Sequence, residues 1–168
     1  SGSSPQVRGG AGVTDPFLAF YRAHVDALYR WVHRRCRDRA LAEDIVQETF
    51  LAAARRADPV GEAWLYTVAR NRLIDVVRRN ERFNDRLHLV ATDAANGSED
   101  GELLARLELI EALELLRAEH RIVLQLKYVD GMTVDALASE IGRTPKAAEA
   151  LLSRAREALR SALRGLDD

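Results

Sequence analysis

Apolar residues of this chain recur every three or four positions, in runs that open at helix-capping residues and stop at Gly or Pro, and this restricts it to packed helices. Asp15 followed by Pro16 reads as an N-cap and a first helical residue. Phe17, Phe20, Tyr21, His24, Leu28, Trp31 and Val32 then return at helical spacing to about residue 35. Asp38 caps a second helix, 39 to about 57, with Leu41, Ile45, Phe50 and Leu51 among its apolar residues. Asp58-Pro59-Val60-Gly61 breaks it. A third helix, 62 to about 79, carries Trp64, Leu65, Val68, Leu73, Val76 and Val77. Three such helices can close a small core of their own.

A length of 168 residues fits one ordinary domain or two small ones. The sustained loop composition lies at 84–101, with Asn96-Gly97-Ser98 at its centre, and it reads as a flexible linker with a short turn at His88, Leu89 and Val90. Its 18 residues reach at most about 60 Å extended and about 23 Å as a relaxed coil. Beyond it, 102 to about 117 repeats Leu103, Leu107, Ile110 and Leu113 on one stripe, and 119–129 is a short helix ended by Gly131. Thr133 caps a helix over 134–141, and Gly142 closes it. Thr144 caps the last helix, from Pro145 to about 163. This pair is a helix-turn-helix pattern with Val134, Leu137 and Ile141 facing inward. The expected fold is all-α: a disordered Ser/Gly-rich leader at 1–14, a helical domain at 15–83, the linker at 84–101 and a second helical domain at 102–168.

Composition removes several function classes. Apolar residues at 47% and charged residues at 30% give a globular balance. A single cysteine, Cys36, leaves no disulfide framework and no Cys-rich zinc site. Neither an apolar run near the roughly 18 residues of a membrane span nor a signal peptide is seen, so a cytoplasmic location without membrane insertion is expected. His24, His33, His88 and His120 are scattered, so no metal or other cofactor is expected. Glycine-rich phosphate loops and nucleophile elbows are absent, and no catalytic residue is assigned. Cys36, between Arg35 and Arg37, is read as a buried or idle thiol in preference to an activated one.

The net charge of −1 averages unlike segments. Residues 64–88 hold six arginines (70, 72, 78, 79, 82, 86) against three acids (75, 81, 85), a net of +3. Residues 92–119 hold eight acids against Arg106 and Arg117, a net of −6, and residues 143–164 hold six bases against Glu149 and Glu157, a net of +4. Two basic islands flank an acidic stretch, a pattern suited to nucleic acid but also to solvated helix faces.

Two segments resemble the bacterial sigma factors of the extracytoplasmic-function group. One is Ala42-Glu43-Asp44-Ile45-Val46-Gln47-Glu48-Thr49-Phe50-Leu51, followed by the run from Trp64 to Arg79. The other is Gly131-Met132-Thr133-Val134 through Ile141-Gly142, then Leu152-Ser153-Arg154-Ala155-Arg156. The resemblance covers about 17–163 and implies sigma region 2 and sigma region 4 joined by the linker. It also implies three partners: core RNA polymerase, promoter DNA and an anti-sigma factor. The two promoter elements are about two duplex turns, about 70 Å, apart, so the linker must extend or thread through the polymerase for both domains to engage. An interdomain clasp, or an anti-sigma protein between the halves, would bury the basic surfaces.

Residue by residue, Asp44, Gln47, Glu48 and Leu51 fall at three- and four-residue spacings and present a polar-acidic stripe. The resemblance makes this segment, with Ile45 and Phe50, the grip on core polymerase. Arg70 and Arg78 lie about two turns apart, with Asn71, Asp75 and Arg79 alongside. Arg suits phosphates and Asn suits adenine edges, and the resemblance assigns this helix to the −10 element. Asp75 pairing with Arg79 or Arg72 is the structural alternative. The loop Asp58, Pro59, Val60 and Gly61 stands where the family captures an extruded base, and Trp64 behind it is read as core. For the −35 element the candidates are Arg143, Thr144, Lys146, Ala147 and Ala150, with Arg154 and Arg156 on phosphates. Glu149 and Leu151 stand where many family members carry Lys and Arg, which predicts a lost phosphate contact at each, or, for the acidic residue, acceptance from cytosine N4.

The function expected is promoter recognition for core polymerase, without chemistry of its own. A stand-alone helix-turn-helix regulator is the alternative; an enzyme built on Glu43, Asp44 and Glu48 is disfavoured, because those carboxylates converge with no His or phosphate loop.

Overall fold

A computed structural model of the chain describes residues 15–81 and 99–166. The leader expected over 1–14, and the linker with its turn as far as residue 98, lie outside them. The described residues form seven α-helices and no strand: α1 (Pro16–Cys36), α2 (Arg39–Ala54), α3 (Glu62–Glu81), α4 (Glu99–Leu115), α5 (Ala118–Tyr128), α6 (Val134–Ile141) and α7 (Pro145–Leu166). Residues 99–101, expected in the linker, are helical. A single glycine costs a helix only about 1 kcal/mol, so Gly101 does not delay its start.

Capping residues set the turns between helices. The Asp15 carboxylate accepts from the Phe17 N–H at 3.0 Å with Pro16 at the first helical position. The Asp38 carboxylate accepts from the Leu41 N–H at 3.0 Å. Thr133 and Thr144 accept through their hydroxyls from the Ala136 and Ala147 N–H groups, each at 3.1 Å. Gly142 ends α6 in the left-handed region at φ 67°. Arg37 ends α1 the same way at φ 51°, donating its N–H to the His33 carbonyl at 2.8 Å. A left-handed non-glycine residue costs on the order of 1 kcal/mol, and it lets α1 reverse into α2 across two residues.

In the first half, Leu28 and Val32 of α1 meet Ile45, Val46 and Phe50 of α2 and Leu65, Leu73 and Val77 of α3, all buried. In the second, Leu137 and Ile141 of α6 close on Ala148, Leu151, Leu152 and Ala155 of α7. The two halves are not left apart. α5 packs against α1 and α3 on one side and α6 and α7 on the other. Six of its 11 residues are buried, Arg121, Ile122, Val123, Leu124 and Leu126 among them, which is more than a helix facing one core would bury.

Polar contacts run along the same seam. The Arg35 guanidinium lies 3.7 Å from the Trp31 ring centroid, within α1. It donates from Nε to Asp130 Oδ2 at 3.1 Å and from Nη2 to Oδ1, bidentate across the halves. Arg121 donates from Nη1 to the carbonyl of Arg37 at 2.9 Å, so the strained turn between α1 and α2 holds a partner in α5.

Candidate nucleic-acid interface

On α2, Asp44, Gln47 and Leu51 are exposed, Leu51 at 54%. Glu48 is half-buried and pairs with Arg72 of α3 at 3.3 Å. Ile45 and Phe50, expected in the same outward grip, are buried. The Phe50 ring stacks edge-on against Tyr21 at 4.8 Å between centroids. These two residues therefore hold α2 on α1, and Phe50 forms the floor of an apolar cleft of about 320 Å³ with Phe17, Tyr21, Gln47, Leu51 and Ala54. The outward surface is a carboxylate and an amide beside an apolar cleft, suited to a partner helix carrying apolar and basic side chains.

α3 carries the first basic island. Asn71 and Arg79 are exposed, and Asp75 is half-buried. Arg72, one of the two partners expected for Asp75, turns to Glu48 instead. Arg70 and Arg78 are engaged by the opposite half of the molecule. Both terminal nitrogens of Arg70 lie 3.4 Å from Glu140 Oε1, and Nη2 also lies 3.2 Å from the Met132 sulfur. Arg78 donates from Nε to the Glu140 carbonyl at 2.8 Å and from Nη2 to the same oxygen. Sequence reading missed Glu140 because it lies 70 residues from Arg70 and carries no local signal.

The loop before α3 lines a second cleft. Asp58, Pro59 and Val60 face Asp15, Pro16, Phe17 and Phe20 from α1 and its cap, together with the end of α2. The space is about 640 Å³. Trp64 is half-buried and packs on the core, with the Arg56 guanidinium 5.4 Å from its ring centroid.

At the start of α7, Thr144 and Lys146 are exposed, while Arg143, Ala147 and Ala150 are half-buried. Arg154 and Arg156 are half-buried too, further along the helix. Arg156 is held by its own protein: Nη2 donates to Glu149 Oε1 at 2.8 Å and to the Ser153 hydroxyl at 3.2 Å, and Nη1 to the Tyr128 hydroxyl at 2.9 Å. Burial pulls the Arg156 pKa down, but the bonds to Glu149 and Tyr128 outweigh it, so the cation is strengthened. Glu149 thus occupies the arginine expected on a phosphate. Leu151 is fully buried, and reading it as a lost phosphate contact is corrected: this side chain faces the core, where a cation has no place. The spacing of Ala148, Leu151, Leu152 and Ala155 already carried that signal.

The Cys36 thiol is buried and lies 3.4 Å from the Asp38 carbonyl. Burial pushes its pKa up, and this outweighs the lowering by that bond and by Arg121. It is not an activated nucleophile. Among the described residues, no three or more His, Cys, Asp and Glu side chains gather as a metal site, and no helix is long and apolar enough to cross a membrane.

Comparison with known proteins decides the family. The model for Sigma-70 region 2 matches residues 20–83, and that for Sigma-70, region 4 matches residues 106–159. The ECF RNA polymerase sigma factor SigL of Mycobacterium tuberculosis is 36% identical over 161 residues, covering 88% of this chain and 89% of the relative. The chain belongs to the ECF sigma factors. The RNA polymerase sigma factor CarQ of Myxococcus xanthus is 30% identical over 163 residues, covering 93% of this chain and 94% of that one. Among solved structures, this sigma factor is similar to RpoE in complex with the anti-sigma factor NepR from Bartonella quintana. That similarity is at 24% identity and a TM-score of 0.44, over 88% of this chain and 96% of the other.

As an ECF sigma factor the protein directs core RNA polymerase to promoters and serves transcription initiation. This replaces the alternative of a stand-alone regulator.

Proposed function

We propose a division of labour within this sigma factor, free of any catalytic step of its own. The exposed Asp44, Gln47 and Leu51 of α2, around the apolar cleft floored by Phe50, form the grip on core polymerase, with Glu48 at its edge. The α3 stripe of Arg70, Asn71, Arg78 and Arg79 engages the −10 element, with Asp75 among them, and the cleft behind Asp58, Pro59 and Val60 receives an extruded base. The start of α7, from Arg143 and Thr144 through Lys146, Ala147 and Ala150, enters the major groove at the −35 element, with Arg154 on a phosphate. An anti-sigma protein controls the whole. The exposed Leu103, Leu104 and Leu107 of α4 offer it an apolar helix face.

The observation that carries this reading is that the α2 stripe and the α3 stripe are used differently. Asp44, Gln47 and Leu51 stay open to solvent, whereas Arg70 and Arg78 already bind a carboxylate and a carbonyl, the chemistry they would use on phosphate. Gel filtration with core polymerase tests it. Asp44→Arg is expected to abolish comigration, while Arg78→Ala comigrates normally yet loses promoter-specific run-off transcription. Loss of comigration in Arg78→Ala would refute the division.

A further inference from the structure

Glu149 is the one acidic residue in the first turns of α7, 145–152, the stretch assigned above to the major groove. It is exposed, between the exposed Lys146 and the exposed Ser153, while Ala148, Leu151 and Leu152 take the opposite side of the helix into the core. Ala147 and Ala150 beside it end at Cβ, which leaves Glu149 as the longest outward side chain between Lys146 and Ser153. A carboxylate there gains nothing from phosphates, which repel it. It is also not free to swing away. Arg156 reaches back along the helix, and its Nη2 holds Glu149 Oε1 at 2.8 Å. Arg156 is fixed in turn from a second helix, its Nη1 donating to the Tyr128 hydroxyl of α5 at 2.9 Å. Oε2 takes no bond among the described residues, and the Glu149 side chain is 51% exposed. The result is a braced acceptor, its charge balanced and one oxygen open to an outside donor.

We propose that Glu149 is a specificity-determining residue that reads a cytosine of the −35 element, with Arg156 and Tyr128 as the positioning residues that aim it. This rests on α7 being the −35 reader. The chemistry selects the base. An ionised carboxylate only accepts, so it needs a donor on the base edge, and the major groove offers cytosine N4 and adenine N6. Adenine N6 stands between its own N7 and thymine O4, two acceptors that repel a carboxylate. Cytosine N4 has such an acceptor, guanine O6, on one side only. Guanine and thymine offer no donor in this groove and are rejected.

The test selects duplexes from a randomised library with holoenzyme made from core polymerase and the full chain, then compares single-base variants of the selected duplex by competition. Preference is read as an affinity ratio between bases at each position, which is independent of overall affinity. The wild type is expected to favour cytosine at one position by about fivefold or more, the lower range for one base contact. Glu149→Ala should level that position and leave the others. Glu149→Gln should move it to adenine, because an amide accepts from N6 and donates to N7. Tyr128→Phe keeps the ring and drops only the hydroxyl, and it should weaken the cytosine preference with helix content unchanged by circular dichroism. Lys146→Ala separates the two ideas. If it alters one position while Glu149→Ala alters none, this inference alone falls; if neither alters any, the assignment of α7 falls with it. A levelled position that had favoured any base but cytosine overturns the choice of base, and a Tyr128→Phe pool identical to the wild type overturns the brace.

Discussion

Glu149 neutralises Arg156 on the helix-turn-helix half, and removing that carboxylate is expected to give a measurable gain in DNA binding. In the folded protein its carboxylate holds Arg156 at 2.8 Å, with the side chains 51% and 28% exposed. Glu149→Ala returns one cation to the surface of the helix-turn-helix half and removes one repelling anion. On duplex DNA each phosphate contact adds about 0.9 to the slope of log K against log salt. At about 0.1 M salt that is an upper bound of about eightfold in affinity. The Tyr128 and Ser153 hydroxyls keep part of their hold on Arg156, so a gain of about three- to eightfold is expected. The assay is anisotropy of a labelled random-sequence duplex titrated with the full chain at several salt concentrations. Arg156→Ala alone should leave the slope unchanged, because the pair is already internally satisfied. Combined with Glu149→Ala it should cancel the steepening. If Arg156→Ala by itself flattens the slope by a full contact, Arg156 is on the phosphate in the wild type and the reasoning is refuted.

Two further outcomes follow from burial. Leu151→Arg should cost at least about 3 kcal/mol in denaturant unfolding, because the side chain enters a closed core. A loss below about 1 kcal/mol would place α7 in a different rotation. His120 of α5 is held below its ordinary pKa, chiefly by burial, with Arg117 and Arg154 adding to the lowering and Glu119 opposing it. Its neutral form is favoured by folding, so the stability is whole above the unfolded value of about 6.5 and falls as pH drops through it. His120→Gln should flatten the pH dependence of the denaturation midpoint between about pH 7 and pH 5; an unchanged dependence assigns it to another group.

Much of the fold was legible because helix ends are local. Asp15, Asp38, Thr133 and Thr144 each bond a backbone N–H two or three residues on, and such contacts are written in adjacent residue types. The α2 stripe proposed to grip polymerase was legible only in outline. A three- and four-residue spacing collects a broad face, and Ile45 and Phe50 fall on the part of it that α1 covers. Leu151 was misread because its position was weighed by resemblance instead of by its own spacing with Ala148, Leu152 and Ala155.

Taken alone, the amino-acid order determined seven helices, their caps, two basic islands and the family, since each depends on residues within about two turns of one another or on a contiguous motif. What the basic residues do in the folded chain was decided elsewhere. Glu140 on Arg70 and Arg78, Asp130 on Arg35 and Arg121 on the Arg37 carbonyl join positions 62 to 95 residues apart. Charge pairing across such distances in sequence has no period to read. It exists only in the folded chain, where α5 packs against α1 and α3 on one side and α6 and α7 on the other.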